Sequence, residues 1–260
     1  MSRPLKELTG PVRALFSDLD GTLSTAGRVE ASTYAALERL GGAGVPVVLV
    51  TGRPAGWGQA MATMVPFAAV VAENGGVTFF RSGEDDSLQK IYGVPAASVP
   101  EWRRRMQMAA VEVMKEIPEA RLSTDSKYRE VDLAIDWNEE VHLSREVSLK
   151  AVQMLRERGF GAVRSSVHVN FGPPTFDKLS ACKVVVAKVL GGDPADLSPY
   201  VYVGDALNDA PMFAGFERSI GVANIKRWWD ELTHKPNFLT EAEEGAGLRE
   251  VIKHILAATR

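Results

Sequence analysis

Acids placed at the ends of apolar runs are the first residues here that could do chemistry. Asp18 and Asp20, in Phe16-Ser17-Asp18-Leu19-Asp20-Gly21-Thr22-Leu23, stand two apart. In an extended chain residues i and i+2 point to the same side. Two carboxylates held that close repel unless a cation sits between them or one is protonated, and hard oxygen donors favour Mg2+. Gly21 permits a tight turn away. Asp and Gly also populate ordinary solvated turns, so the pair alone leaves both readings open. A second acidic set, Val203-Gly204-Asp205-Ala206-Leu207-Asn208-Asp209, repeats the pattern after another apolar run. Asp205 and Asp209 there could complete an octahedral Mg2+ site. Thr51-Gly52-Arg53-Pro54 offers a hydroxyl, a free amide and a guanidinium where a helix starts. That suits an oxyanion or a phosphate, or simply an N-cap threonine beside a solvent-facing arginine. Lys178, in Phe176-Asp177-Lys178, opens a helix against the dipole. An anionic partner would account for it, and so would plain exposure.

Positioning these residues requires strands that end where they begin. Val12–Ser17, Val45–Val50, Ala68–Ala72, Val77–Phe80, Tyr200–Val203, Ser219–Val222 and Asn237–Leu239 read as short strands. Such apolar runs suit a parallel sheet buried on both faces. Helical spacing marks Glu30–Ala43, Pro54–Val65, Lys178–Leu190, Asp209–Ala214 and Gly247–Ala258. Alternating β and α predicts an α/β fold, a doubly wound and mainly parallel sheet. In such sheets ligands bind at the carboxyl ends of the strands, where both acidic sets and Thr51-Gly52-Arg53 fall.

The middle of the chain has another character. Ser82–Ser87 is a polar, acidic connector, and Glu101–Glu116 an amphipathic helix. Arg129–Trp137 reads as a strand, Glu139–Arg158 as a second helix and Gly161–Phe171 as a strand or hairpin. The expected organisation is a discontinuous core, 1–81 and 172–260, carrying an inserted α+β domain, 82–171.

Composition excludes several classes. The chain has 260 residues with 30 Lys+Arg against 33 Asp+Glu, so a net charge of −3 gives no reason to expect nucleic acid. One Cys forms no intrachain disulfide and no Cys-rich zinc site. No apolar run reaches membrane-helix length, and the start, MSRPLKELTGPVRALF, lacks a signal-peptide pattern. A cytoplasmic location without membrane partners is expected, and oligomeric state stays open.

Taken in order, the four motifs resemble the haloacid dehalogenase-like (HAD) hydrolase superfamily. The matches are DLDGT at Asp18–Thr22, VTGR at Val50–Arg53, the lone Lys178 and GDALND at Gly204–Asp209. The insert and the exit HVNFGPPTFDK resemble its IIB cap branch, which includes phosphatases of sucrose phosphate, trehalose phosphate and mannosylglycerate phosphate. The resemblance implies an aspartyl-phosphate on the nucleophile Asp18, with Asp20 as general acid and base. It implies that Thr51 holds the phosphoryl group and that Lys178 offsets its charge. Mg2+ would be held by Asp18, the Asp20 carbonyl and Asp205, with Asp209 supporting that shell and Asn208 orienting the site. The substrate is then a small phosphorylated metabolite, a sugar phosphate by analogy. A phosphomutase, or a HAD-like scaffold used only for binding, are the other readings.

Substrate contacts are expected from Gly52, Arg53 and Asn74 at strand ends, from Asn208, and from His168 and Asn170 where the cap returns to the core. For the last two the stronger reading is of polar residues alternating along a cap strand, with Val167, Val169 and Phe171 inward. Cys182 reads as core, Trp228-Trp229 as packing of a short helix, and Arg103-Arg104-Arg105 as a solvated face.

Overall fold

The computed structural model describes residues 2–258. In chain order its strands and helices are β1 (Arg3–Pro4), β2 (Ala14–Ser17), α1 (Ala31–Gly42), β3 (Val47–Val50), α2 (Ala55–Met64), β4 (Ala69–Ala72), β5 (Val77–Ser82) and β6 (Ser87–Tyr92). Then follow α3 (Val99–Glu116), β7 (Arg121–Leu122), β8 (Leu133–Asp136), α4 (Arg145–Glu157), β9 (Gly161–Arg164) and β10 (His168–Gly172). The chain closes with α5 (Lys178–Lys188), β11 (Tyr200–Gly204), α6 (Ala210–Gly215), β12 (Arg218–Gly221), β13 (Phe238–Leu239) and α7 (Glu244–Ala258).

Nine strands form one sheet in the order β1-β13-β12-β11-β2-β3-β4-β5-β6. It is parallel from β1 to β4, and β5 and β6 add antiparallel. Alternate residues of its central strands feed two cores. Leu15, Val47, Leu49, Val201 and Val203 pack against α1, α2 and α7. Phe16, Val48, Val50, Tyr200 and Tyr202 pack against α5 and α6. Both faces being apolar is why these strands read as uninterrupted β-branched runs. This is the expected doubly wound α/β sheet.

A second sheet, β7-β8-β10-β9, is antiparallel. One of its faces carries Leu133, Ile135, Val169 and Phe171 onto Met106, Ala110 and Val113 of α3 and Ala151, Val152 and Leu155 of α4. Its other face carries Ala134, Asp136, His168 and Asn170, with His168 opposite Asp136 and Asn170 opposite Ala134.

Local differences from the sequence reading have physical causes. Ser82–Ser87 is the tip of a hairpin, so Ser87–Tyr92 belongs to the large sheet, although residue 82 was the expected start of the insert. No residue of Ser87–Tyr92 is fully buried, so no apolar alternation advertises this edge strand. The strand expected over Arg129–Trp137 shrinks to Leu133–Asp136, because the Glu73 carboxylate captures the amides of Glu130, Val131 and Asp132. The helix expected from Glu139 starts at Arg145, because Asp136 accepts the amides of Glu139, Glu140 and Val141 in a turn. Val167 lies between β9 and β10 rather than inward on a strand.

Candidate active site

Strands β2 and β11 are hydrogen-bonded neighbours, so Asp18 and Asp205 leave the sheet side by side. Asp18, Asp205 and Asp209 each bring a carboxylate oxygen within 4.8 Å of the other two, and all three are buried. Gly21 makes this approach possible: its φ is +76°, and a Cβ there would lie 2.5 Å from Asp205 Oδ2. A Cβ on Gly204 would likewise lie 2.5 Å from Asp209 Oδ2.

Lys178 supplies an ammonium at the centre. Its Nζ lies 2.7 Å from Asp18 Oδ1 and 2.7 Å from Asp209 Oδ1, and it is 2% exposed. That excludes the surface reading of Lys178. It is held there by a capping box at the start of α5, in which Asp177 accepts the Ser180 amide. Burial alone would lower Lys178, but Asp18 and Asp209 outweigh it and hold its pKa above the ordinary value. Burial lifts Asp18 to about 7 against the pull of Lys178, with Asp209 and Asp20 adding to the rise. Asp205 is raised well above the usual carboxylate range, by burial and then by Asp18 and Asp209.

Three buried acids face one lysine, and ionising all of them together calls for further positive charge, of which Arg227 supplies only a weak pull on Asp205. The donor set is all oxygen and suits a hard divalent cation. Asp18 and Asp205 are the residues that could hold it. Asp209 is in the cluster, yet its oxygens already accept from Lys178, from the Tyr202 hydroxyl at 2.6 Å and from the amides of Asp205 and Ala206. That arrangement suits support of the neighbouring acids. The Asp20 side chain lies outside the cluster and turns to Arg53.

Around this centre stand the remaining expected residues. Thr51 is buried, and its hydroxyl oxygen accepts the Arg53 amide, which leaves its own hydrogen free to donate. Arg53 is buried too, which excludes a solvent-facing role, and grips Asp20 through Nε at 2.8 Å and Nη2 at 3.0 Å. The Gly52 carbonyl accepts from Arg129 at 3.0 Å and Asn170 at 3.4 Å, both from the cap. Asn74 accepts from Asn208 at 3.3 Å, and its own buried Nδ2 has no partner. His168 is 2% exposed and lies 2.8 Å from Glu139. The polar face of β8 and β10 is thus turned onto the core site.

Several participants escaped the sequence reading. Thr22 and Asn224 donate to Asp205, at 3.2 and 2.9 Å. Glu73 accepts four backbone amides, from Ala55 in the core and from Glu130, Val131 and Asp132 in the cap, at 2.7 to 2.9 Å. Glu139 joins Arg53 to His168. The residues read as bland divide. Cys182 is buried in the core, and burial pushes its thiol far up. Trp228 packs across to Trp137 of the cap, with ring centroids 6.4 Å apart. In the Arg103–Arg105 run, Arg104 pairs with Glu101, Arg105 stacks on Trp102, but Arg103 reaches the Arg129 carbonyl.

Residues 15–95 match the haloacid dehalogenase-like hydrolase family. A phosphoglycolate phosphatase of Archaeoglobus fulgidus is 27% identical over 94% of this chain and 96% of its own length. A solved structure from Thermoplasma acidophilum superposes with a TM-score of 0.72 at 19% identity, covering 95% of this chain and 99% of that one. A HAD subclass IIB sugar phosphatase superposes with a TM-score of 0.64 at 16% identity, covering 94% and 98%. The match to the haloacid dehalogenase-like hydrolases thus runs over residues 15–95, the part of the chain that carries Asp18, Asp20, Thr51 and Arg53.

Proposed function

We propose that the chain is a Mg2+-dependent phosphatase of a small phosphorylated metabolite, working through an aspartyl-phosphate on Asp18. The observation that carries this is the placement of Asp18 beside Asp205, with Lys178 on both Asp18 and Asp209. Asp18 Oδ1 is held by Lys178, so Oδ2 is the oxygen free to attack phosphorus. The attack forms the Asp18–phosphoryl bond as the bond to the leaving oxygen breaks. Asp20 gives that oxygen a proton and then takes one from the water that cleaves the aspartyl-phosphate. Both Asp20 oxygens accept from Arg53, so carrying the proton gives up one of these two bonds. The Thr51 hydroxyl and Lys178 donate to the phosphoryl oxygens as charge moves onto them. A bound Mg2+ would add charge neutralisation on the same oxygens.

A small substrate is favoured because the cap face is tied to the core beside the site, by Asn170 and Arg129 on the Gly52 carbonyl and by Glu139 on Arg53. The relatives named phosphoglycolate phosphatase support a short phosphorylated metabolite more than a disaccharide phosphate. The reading is tested by phosphate release from a panel of phosphorylated metabolites and p-nitrophenyl phosphate. With Mg2+ the wild type should turn over members of that panel, and Asp18→Asn should lose at least about a thousandfold in kcat. No release from any panel member by metal-loaded protein would overturn it.

A further inference from the structure

The Asp20 carboxylate takes its orientation from one guanidinium. Its Oδ2 accepts from Arg53 Nε at 2.8 Å and its Oδ1 from Arg53 Nη2 at 3.0 Å. Where Asp20 points is therefore set by what holds Arg53, and that hold comes from the cap. Arg53 Nη2 also donates to Glu139 Oε1 at 2.8 Å, in the turn between β8 and α4. Asp125 approaches Arg53 Nη1 only to 3.6 Å, beyond hydrogen-bond reach, and both its oxygens already accept from Arg129. Glu139 is thus the cap residue that fixes the far end of Arg53.

Glu139 is fixed in its turn. His168 Nε2 lies 2.8 Å from Glu139 Oε2, and the Glu139 backbone amide donates to Asp136 Oδ1 at 2.8 Å. The Arg53 and His168 side chains are 9% and 2% exposed, which leaves both little room to swing. The His168 bond, opposed by burial and aided by Arg53, holds the Glu139 carboxyl down to about 2, so Glu139 stays an anion through the neutral range. A continuous line of side chains, His168, Glu139, Arg53 and Asp20, runs from the cap sheet to the acid of the reaction.

The proton step gives this line its use. Asp20 passes its proton to the leaving oxygen as the P–O bond breaks and the electron pair of that bond goes to the oxygen. While Asp20 carries the proton, one of its two bonds to Arg53 is given up. An arginine with Asp20 as its one partner would then hang on a single bond, at the moment the acid has to be in place. With Glu139 on the same Nη2, Arg53 keeps a charged partner through that half of the cycle. The carboxylate left by the transfer returns to a donor that has not moved. We propose that Glu139 is a positioning residue for Asp20, acting through Arg53, with His168 fixing Glu139 in turn. This rests on the phosphatase reading and adds to it that the acid is aligned from the cap.

Leaving-group dependence tests this, because it reads Asp20 rather than folding. Benzyl phosphate needs a proton on its leaving alkoxide, whereas p-nitrophenyl phosphate releases a stable phenolate, and the two are similar in size. For both, kcat/KM reports the steps through formation of the aspartyl-phosphate. In Glu139→Ala, kcat/KM for benzyl phosphate should fall about tenfold more than that for p-nitrophenyl phosphate. Glu139→Gln, which keeps an acceptor for Arg53 without the charge, should fall between Glu139→Ala and wild type. In an Asp20→Asn background Glu139→Ala should add no selective loss, since the acid it positions is gone. Equal losses on both esters, or a selective loss that persists without Asp20, would overturn the inference and leave the phosphatase reading standing. A wild type that cleaves p-nitrophenyl phosphate but not benzyl phosphate has no acid to position, and overturns it too. Release of phosphate from no ester at all overturns the phosphatase reading, and this inference with it.

Discussion

Asp18, Asp205 and Asp209 share one buried volume with a single lysine, and the energetics of that crowding are testable. Replacing Lys178 by Met removes both ion pairs and leaves two buried acids unpaired. Thermal denaturation of metal-free Lys178→Met should show a loss of about 3 kcal/mol, with phosphate release abolished. The pH dependence has a definite sign. Asp18 rises from 3.8 to about 7 on folding, and Asp205 shifts the same way. Between those values the folded state keeps a proton that the unfolded state has given up. Stability of the metal-free protein from these groups is therefore present below the unfolded pKa and lost as pH rises toward the folded one. Melting followed in chelator should show the contribution of Asp18 to Tm lost between about pH 4 and about pH 7, with the gain on adding Mg2+ largest at the alkaline end. At this scale the motif acids and Lys178 were legible, because each ends an apolar run or opens a helix. Tyr202, Asn224, Glu73 and Glu139 were not. They are single polar residues whose partners lie far along the chain, such as Asn224 on Gly21 and Asp205.

Elements turn these residues into a site through register. Adjacent β2 and β11 bring the two acidic loops together, and the strand β10 shows His168 and Asn170 to the core while Val169 and Phe171 face α3 and α4. That alternation was readable from the residues, although the face receiving the polar pair was not. The elements that misled did so where a side chain took the backbone's hydrogen bonds. Glu73 at the end of β4 prevents Glu130–Asp132 from extending β8, and Asp136 prevents Glu139–Val141 from joining α4. Glu73 is also in the left-handed region at φ +51°, as is Asn74 at +53°, so the turn is fixed by its bonds rather than by local preference. Glu73→Ala leaves four amides without their acceptor. It should cost about 3 kcal/mol and speed amide hydrogen exchange at Glu130, Val131 and Asp132. Unchanged exchange there would show that the bonds to Glu73 do not anchor the cap.

Across the whole molecule the two sheets meet through polar ties near the site, and through an aromatic pair and ion pairs of Glu231 away from it. Gly52 accepts from Arg129 and Asn170, while Trp228 meets Trp137 and Glu231 pairs with Arg145 and Arg164. Among the described residues no helix is long and apolar enough to cross a membrane. Composition foresaw an ordinary charge balance but could not foresee that the acids that matter are buried. Trp228→Ala should destabilise by about 2 kcal/mol and speed limited proteolysis between the two sheets, with p-nitrophenyl phosphate turnover retained. The central claim is chemical, that Asp18 carries the phosphoryl group. Mass spectrometry of protein quenched in acid during turnover of its best substrate measures this directly. One phosphoryl group on the peptide containing Asp18, absent from Asp18→Asn, is the result this account predicts. Turnover with no phosphoryl adduct, or an adduct that survives Asp18→Asn, would contradict it.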